Sequence, residues 1–403
     1  MSTSSANLSS REVSLSSAPG GFGLYVHWPF CGSKCPYCDF NSHVSGLIDQ
    51  NSWRDGLLSE LAYFGAKTKG RRLETVFFGG GTPSLMPPST AAAVLDELAS
   101  YWFVSPDLEV TLEANPSSVE ARKFADFRAA GINRVSIGVQ SFHDQDLRFL
   151  GRAHSAMEAR NALTIAKKTF DRISFDMIYA LPGQTTPAWA VQLNEALAFG
   201  TGHLSLYQLT IERGTPFFSI HKKGMLDLPA DDLAIELSEK TSEMTEKAGL
   251  SSYEVSNYAV SGHESRHNLT YWRGGEYVGI GPGAHGRIAI NGTRKRTEQI
   301  TLPENWMAAI KKQGHATRVF ETISKKEHII ESLMMGMRVT CGIDRALFSQ
   351  LTGVDLADCI DLQRSQALVD AGLVEIDEAG IRATSMGRQL LNAVIEALIP
   401  DVY

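Results

Sequence analysis

Three cysteines within eight residues, Cys31-Gly-Ser-Lys-Cys35-Pro-Tyr-Cys38, constrain this chain more than any other stretch. They follow an apolar run, Gly23-Leu24-Tyr25-Val26-His27, that predicts a strand. The only other cysteines, Cys341 and Cys359, lie near the far end of the chain, so the local site is a three-thiolate site. A closed zinc site needs four ligands, and an electron-transfer [4Fe-4S] cluster usually takes four cysteines, so C-x3-C-x2-C leaves one coordination position open. An iron with an open position can bind a small molecule. The alternative that the spacing leaves is a zinc knuckle completed by His27 or His43.

With an aromatic residue, Tyr37, just before the last cysteine, the motif resembles the signature of radical S-adenosylmethionine (SAM) proteins. That resemblance implies that Cys31, Cys35 and Cys38 hold a [4Fe-4S] cluster whose fourth iron is chelated by the amino and carboxylate groups of SAM.

The 403 residues suffice for one large α/β domain and a smaller one. The net charge of −7 argues against a nucleic-acid partner, which would favour a basic surface. No apolar run reaches the roughly eighteen residues that span a bilayer. Five cysteines, three of them clustered, suit a reducing compartment. Residues 1–21, rich in Ser, Gly and Ala, predict a flexible tail. With Arg11 as its single basic residue and no apolar core, the tail is a poor targeting signal, and the expected location is the cytoplasm.

Beyond the cysteines, strands and helices alternate. A helical pattern over 51–66 precedes the strand 74–78, which runs into Gly79-Gly-Gly-Thr-Pro-Ser84. Strands over 108–113, 134–138, 173–178 and 203–209 each follow a helical pattern, one of them opened by Thr186-Pro187 as N-cap and first-turn proline. Six strands alternating with helices imply a parallel sheet with its polar loops on the C-terminal rim. Periodicity fits an open doubly wound sheet as well as a barrel; the radical SAM resemblance implies a partial (β/α)6 barrel of the TIM-like kind. We expect barrel core over 22–220. A less regular, barrel-associated segment is expected over 221–320, with a helix over 230–248, a strand over 252–256 and the glycine-rich 279–286. A small helical, winged-helix-like domain is expected over 321–403, with a hairpin turning at Gly380 and Cys341 and Cys359 as ordinary buried thiols.

SAM needs acceptors for its amino group, a cation for its carboxylate, and partners for ribose and adenine. The rims supply them in chain order. Gly80, Gly81 and Thr82 follow the second strand, where glycines permit close backbone approach or simply a tight turn. Glu113 ends the third strand and needs a cationic partner if it lines a pocket. Gln140 follows the fourth, and Arg152 suits a carboxylate, or else pairs with Asp146 on a helix surface. Asp176 suits ribose hydroxyls or caps a neighbouring turn.

The ordered set Tyr-x5-C-x3-C-x2-C, Gly-Gly-Gly-Thr-Pro-Ser, Glu-Ala-Asn-Pro, Gly-x-Gln-Ser-Phe, Gly-Arg-x-His and Asp-x-Ile-Tyr-x-Leu-Pro-Gly-Gln-Thr resembles a narrower family. It contains oxygen-independent coproporphyrinogen III oxidase and the HemW branch of heme chaperones, and the likeness runs from about Gly23 through nearly the whole chain. It implies that Tyr25, Gly80, Gly81, Thr82, Glu113, Gln140, Arg152 and Asp176 surround SAM, with Tyr37 beside the adenine. The oxidase adds a cysteine two positions after the third ligand, where this chain has Phe40. His267-Asn-Leu-Thr-Tyr-Trp272 matches the His-Asn-x-x-Tyr-Trp motif of the chaperone branch, which implies that His267 binds heme. From the residues alone His267 equally caps a turn beside core aromatics, and His285 is a competing ligand. The expected function is a heme chaperone that carries a [4Fe-4S] cluster, SAM and heme, as a homodimer by the same resemblance, and delivers heme to an acceptor protein. The alternative is a radical enzyme that oxidatively decarboxylates porphyrinogen propionates.

Overall fold

The computed structural model of the chain describes residues 18–400; the stretch 1–17 of the expected tail lies outside the described residues. Residues 18–21 belong to the fold, with Gly21 N donating to Ala18 O at 2.8 Å and Ala18 packed on the core. The six expected strands form as β1 (Phe22–Trp28), β2 (Arg72–Gly80), β3 (Phe103–Ala114), β4 (Arg134–Gln140), β5 (Arg172–Tyr179) and β6 (His203–Gln208). They pair in that order, all parallel. Their near-continuous apolar runs are what parallel strands require, because both faces are covered. In β1, Phe22, Leu24, Val26 and Trp28 are fully buried on one face, which leaves Tyr25 and His27 to the other.

The crossover helices begin where the sequence offers caps. In α1 (Gln50–Lys67) the Asp49 side chain accepts from Ser52 N; α2 (Pro88–Glu97) starts on a proline; α3 (Phe124–Ala129) is a short turn. Ser155 and Glu158 form a capping box on α4 (Ala156–Thr169). The cap of α5 (Thr186–Ala198) is Thr185, one residue earlier than expected, because its side chain and not that of Thr186 accepts from Ala188 N.

After β6 the sequence reading and the structure diverge. Helix α6 (Asp231–Lys247) forms as expected, but of the strand expected over 252–256 only Ser252 forms, and 253–256 is irregular. It is the turn between β7 (Ser251–Ser252) and β8 (Asn257–Ala259), because Ser252 Oγ donates to Glu254 O and the Glu254 carboxylate accepts from Ser256 N and Asn257 Nδ2. Such local bonds compete with a ladder. Helix α7 (Arg266–Trp272) carries the His-Asn-x-x-Tyr-Trp motif and leads into β9 (Glu276–Ile280), which pairs parallel to β1 on the side away from β2. Then β10 (His285–Ile290), β11 (Thr293–Gln299) and β12 (Thr317–Thr322) extend the sheet antiparallel. The β10–β11 link is Asn291-Gly292, both at positive φ, the two-residue turn that Asn-Gly favours. Helix α8 (Pro303–Gln313) intervenes before β12. Among the described residues this is one 12-stranded sheet whose ends, β12 and β7, do not pair with each other, so the barrel is partial.

A second apolar core runs from Ile329 to Leu398, separate from that of the sheet. It gathers α9 (Lys325–Gly336), α10 (Arg345–Thr352), α11 (Leu362–Asp370), α12 (Leu391–Leu398) and a small sheet in the order β13 (Ile343–Asp344), β15 (Gly380–Ala383), β14 (Val374–Ile376). Gly380 opens β15 and is not the turn; a Cβ there would come 1.8 Å from Ile343 O, so the glycine serves the β13–β15 contact. Cys359 is buried as expected, whereas Cys341 is exposed, because it lies on the crossing between the two cores and not inside either. No helix of the described residues is long and apolar enough to cross a membrane.

One buried carboxyl ties the end of β9 and α8 to α1. The Glu60 carboxylate accepts from Gly281 N (2.7 Å), Ala316 N (2.9 Å) and Trp306 Nε1 (3.1 Å). Glu60→Ala strands these donors and is expected to cost about 3 kcal/mol or more in a urea melt. Burial pushes the Glu60 carboxyl up to about 7 from an ordinary 4.5. The folded chain therefore holds a proton that the unfolded chain has released, and this group's contribution to stability falls as pH rises from 4.5 to about 7. The stability difference between native protein and Glu60→Gln should shrink across that window; a difference independent of pH rules the buried proton out.

Candidate functional site

The three thiols sit on the loop that leaves β1, all free and half-buried. Burial first, and neighbouring thiols after it, hold Cys31 and Cys38 above the ordinary thiol range. Packing three ionisable sulfurs together is unfavourable until a cation neutralises them. No three Cys, His, Asp or Glu side chains converge on a single ion among the described residues. A cubic cluster bonds each thiolate to a different iron and a zinc ion does not, so the donor set fits a [4Fe-4S] cluster. Of the two proposed zinc ligands, His27 has both ring nitrogens occupied and His43 has one. His27 is bonded through Nδ1 to Tyr25 Oη (3.0 Å) and through Nε2 to Asn41 O (2.9 Å), and His43 Nε2 meets Asn41 Oδ1 at 2.9 Å. Around the sulfurs, Thr82 Oγ1 donates to Cys31 Sγ and Arg152 Nη1 to Cys35 Sγ, both at 3.4 Å.

The cluster loop is clamped from two sides. Asn41 Nδ2 donates to Pro282 O (2.9 Å) and Thr301 O (3.0 Å). Gly281 and Gly283 have positive φ, and a Cβ on either would collide, at 2.3 Å from His27 O and 2.5 Å from Asn41 Nδ2. The glycine-rich 279–286 is thus the floor on which the loop rests. His285, the competing heme ligand, is exposed there, 4.0 Å from Glu298. On the other side Phe217 N donates to Pro36 O, and the half-buried Tyr37 ring packs 6.4 Å from that of Phe217.

The rim residues expected around SAM come together. Gly80 N, at φ +117°, donates to Glu113 Oε2 at 3.2 Å. Gly80 and Gly81 must be glycine for packing alone, since a Cβ would meet the His27 ring at 2.7 Å and Phe30 O at 2.8 Å respectively. Arg152 does not pair with Asp146, which instead accepts from Ser141 Oγ and Gln192 Nε2. Its Nη2 donates to Asn115 Oδ1 (2.6 Å) and Gly138 O (2.9 Å). Arg152 Nε and Gln140 Oε1 are buried without a hydrogen-bond partner, and Gln140 sits at φ +68°. A donor and an acceptor left unpaired in this way fit a polar ligand. Glu113 and Asp176 are deep in the fold yet keep accessible surface, as side chains facing a cleft do. Burial, and then the charge of Asp176, push Glu113 up to about 8; burial pushes Asp176 to about 6 against hydrogen bonds from Ser205 and Ser136. Two facing acids that make no direct ion pair among the described residues fit the positively charged SAM. Asn115, which holds Arg152 and donates to Thr82 Oγ1 at 3.2 Å, is the residue that sequence reasoning passed over, although its motif was noted.

His267 lies in the second residue of α7, fully buried against Phe77 and Tyr25, with ring centroids 5.1 and 6.5 Å away. The helix is capped by Ser265, not by His267. Its Nδ1 meets Thr75 Oγ1 at 2.8 Å and its Nε2 meets Tyr271 Oη at 2.6 Å. Burial lowers it to about 3, so it is a neutral imidazole with both nitrogens occupied.

Residues 25–189 match the Radical SAM superfamily and residues 323–390 the HemN C-terminal domain. The chain is 40% identical to the mouse (Mus musculus) protein named radical S-adenosyl methionine domain-containing protein 1, mitochondrial, over 94% of this chain and 87% of that one. It is 36% identical to the Escherichia coli protein named heme chaperone HemW, over 94% of this chain and 98% of that one. Among solved structures it resembles E. coli coproporphyrinogen III oxidase, HemN, described as a radical SAM enzyme, with a TM-score of 0.78 at 22% identity, over 94% of this chain and 90% of that one. Fold and site thus define a radical SAM protein of the HemN type. Within that class, the chain belongs to the family that includes HemW and radical S-adenosyl methionine domain-containing protein 1.

The raised Glu113 and Asp176 give a signed prediction. A cationic ligand favours their ionised forms, so SAM binding should release protons and strengthen as pH rises from about 6 to about 8. Calorimetry on anaerobically reconstituted protein in two buffers of different ionisation enthalpy measures the release. Glu113→Gln should flatten the pH dependence and weaken binding roughly tenfold or more, as for a lost charged hydrogen bond.

Proposed function

We propose that this chain is a heme chaperone: it binds heme and passes it to an acceptor protein, on a scaffold that holds a [4Fe-4S] cluster through Cys31, Cys35 and Cys38 and one SAM. The reading is carried by one observation, the end-to-end likeness to proteins named heme chaperone HemW at 34–36% identity. When bound, the cluster supplies redox chemistry and a chelating iron at the loop. The chain's own residues do the rest. Arg152 and Gln140 offer the unpaired donor and acceptor for the SAM carboxylate and its neighbours, Glu113 and the Gly80–Thr82 turn face its amino group, and Asp176 receives ribose hydroxyls. Tyr25 and Tyr37 close the site with apolar surface and keep water from it.

The oxidase reading has the fold likeness to HemN in its favour, but at 22% identity that likeness speaks for the fold alone. Against it, the position of the oxidase's extra cysteine is Phe40, which is 59% exposed and cannot ligate metal. Cytoplasmic placement belongs to the same proposal; its support is the bacterial HemW likeness, set against animal relatives named mitochondrial.

The test is a hemin titration by absorbance on reconstituted protein with SAM, followed by transfer to an apo-hemoprotein, with porphyrinogen and SAM products assayed in the same tubes. Saturable hemin binding at one site per chain and transfer without porphyrinogen turnover are expected. Decarboxylation of coproporphyrinogen at enzyme-like rates, with no hemin bound, would replace the chaperone by the oxidase.

A further inference from the structure

Behind the wall formed by Thr75, on the far side from the SAM cleft, α7 and the C-terminal module line a half-open cavity of about 710 Å³. That is within the roughly 300–1,000 Å³ typical of small-molecule sites, and a seam between two cores is where such sites tend to lie. Its lining is mixed, with an apolar part in which Leu269 and Trp272 from α7 stand with Leu347, Phe348 and Leu351 from α10. The indole N–H of Trp272 is buried without a hydrogen-bond partner among the described residues.

Three arginines reach the cavity, and two are already neutralised. Arg266 pairs with Asp107, and Arg382 with Asp377 and Glu375. The side chain of Arg273 makes no hydrogen bond or ion pair among the described residues and is exposed at the rim. The two acids of the lining have partners: Asp344 caps α10, and Glu74 lies 4.0 Å from Arg72. The cavity therefore offers an anion one unspent cation beside the apolar part of its lining.

It also holds a thiol. Cys341 lines the cavity, exposed to it, and its neighbours fix it in place. Thr340 is tied to the barrel, N to Tyr253 O (3.0 Å) and Oγ1 to Ser252 O (2.9 Å). Gly342, at φ +71°, lies so close to β15 that a Cβ would come 2.1 Å from Ile381 O. The thiol is thus held at the seam by backbone on both sides.

We propose, resting on the heme-binding reading above, that this cavity is the heme seat, with Cys341 as axial ligand and Arg273 as partner to a propionate. A flat, apolar macrocycle with carboxylates on one edge matches the apolar part of the lining with one free cation at the rim, and thiolate is an established class of heme ligand. Ligation releases the thiol proton to solvent. His267, both of whose nitrogens are taken, then stands behind Thr75 as a positioning residue.

The experiment uses full-length protein with its cluster reconstituted, titrated with hemin, in four forms: native, Cys341→Ser, Arg273→Ala and His267→Ala. The native complex should show the strongly red-shifted ferrous–carbonyl Soret band of thiolate ligation. Cys341→Ser should lose that band, and Arg273→Ala should weaken binding roughly tenfold, as for one charged hydrogen bond. SAM binding should be unchanged in both variants. Unaltered hemin affinity and spectrum in Cys341→Ser and Arg273→Ala, with loss in His267→Ala, would overturn this seat while leaving heme binding intact. Absence of hemin binding in the native protein would remove the heme reading itself, and the seat with it.

Discussion

The arrangement of the site depends on the hydrogen bonds of Asn41. A loop carrying three thiols has little regular structure of its own to fix it, and loops with few internal contacts move. Here the loop is held as part of the sheet: the Asn41 side chain bonds one carbonyl just after β9 and one just after β11, and its own carbonyl accepts from His27 on β1. Because β9 pairs with β1, the same two strands set the position of the clamp and of the cysteines. This explains why the contacting backbone is glycine at Gly281 and Gly283, where any side chain would push the loop off its seat.

Charge is placed around that loop so that the ligand is the missing partner. Arg152 is tied to neutral groups, the Asn115 amide and the Gly138 carbonyl, and to a cysteine sulfur, while the two acids across the cleft make no direct ion pair among the described residues. A direct Arg152–Glu113 ion pair would be more comfortable in the ligand-free protein, but both groups would then have to be pulled apart to admit an amino acid head. Keeping them on separate neutral supports moves that cost into the fold, where Asn115 and Ser136 share it, and leaves binding to discharge it.

The alternation of β1 to β6 with helices was legible because buried parallel strands are written as unbroken apolar runs between capped helices. The rim residues were legible because a polar or glycine residue directly after such a run has few other places to be. The antiparallel extension β10 to β12 escaped notice even though Asn291-Gly292 is a strong turn signal, because its middle strand β11, Thr-Arg-Lys-Arg-Thr-Glu-Gln, carries no apolar residue. The strand expected at 252–256 failed for the opposite reason: a Tyr-Glu-Val alternation reads as strand, but Glu254 spends its carboxylate on the turn. Neither Asn41 nor Glu60 could be found from local pattern, since their partners lie more than two hundred positions away in sequence.

The wall between the SAM cleft and the rear cavity is a short chain of ring and hydroxyl contacts. Tyr25 bonds His27 and stacks on Phe77 and His267, and His267 in turn joins Thr75 and Tyr271. Every polar atom of the imidazole is satisfied from the protein, and the ring is held neutral, so the wall has no internal reason to reorganise. Energetic coupling across such a wall requires an element with two discrete arrangements. Tyr271 is the candidate by geometry, because its hydroxyl is bonded to His267 while its ring packs against Tyr277 on β9, the strand that also bears the floor of the cluster loop. The motif histidine thus joins the strand that carries Thr75 to the helix that carries Tyr271, and fixes the partition between the cleft at the cluster loop and the cavity behind it.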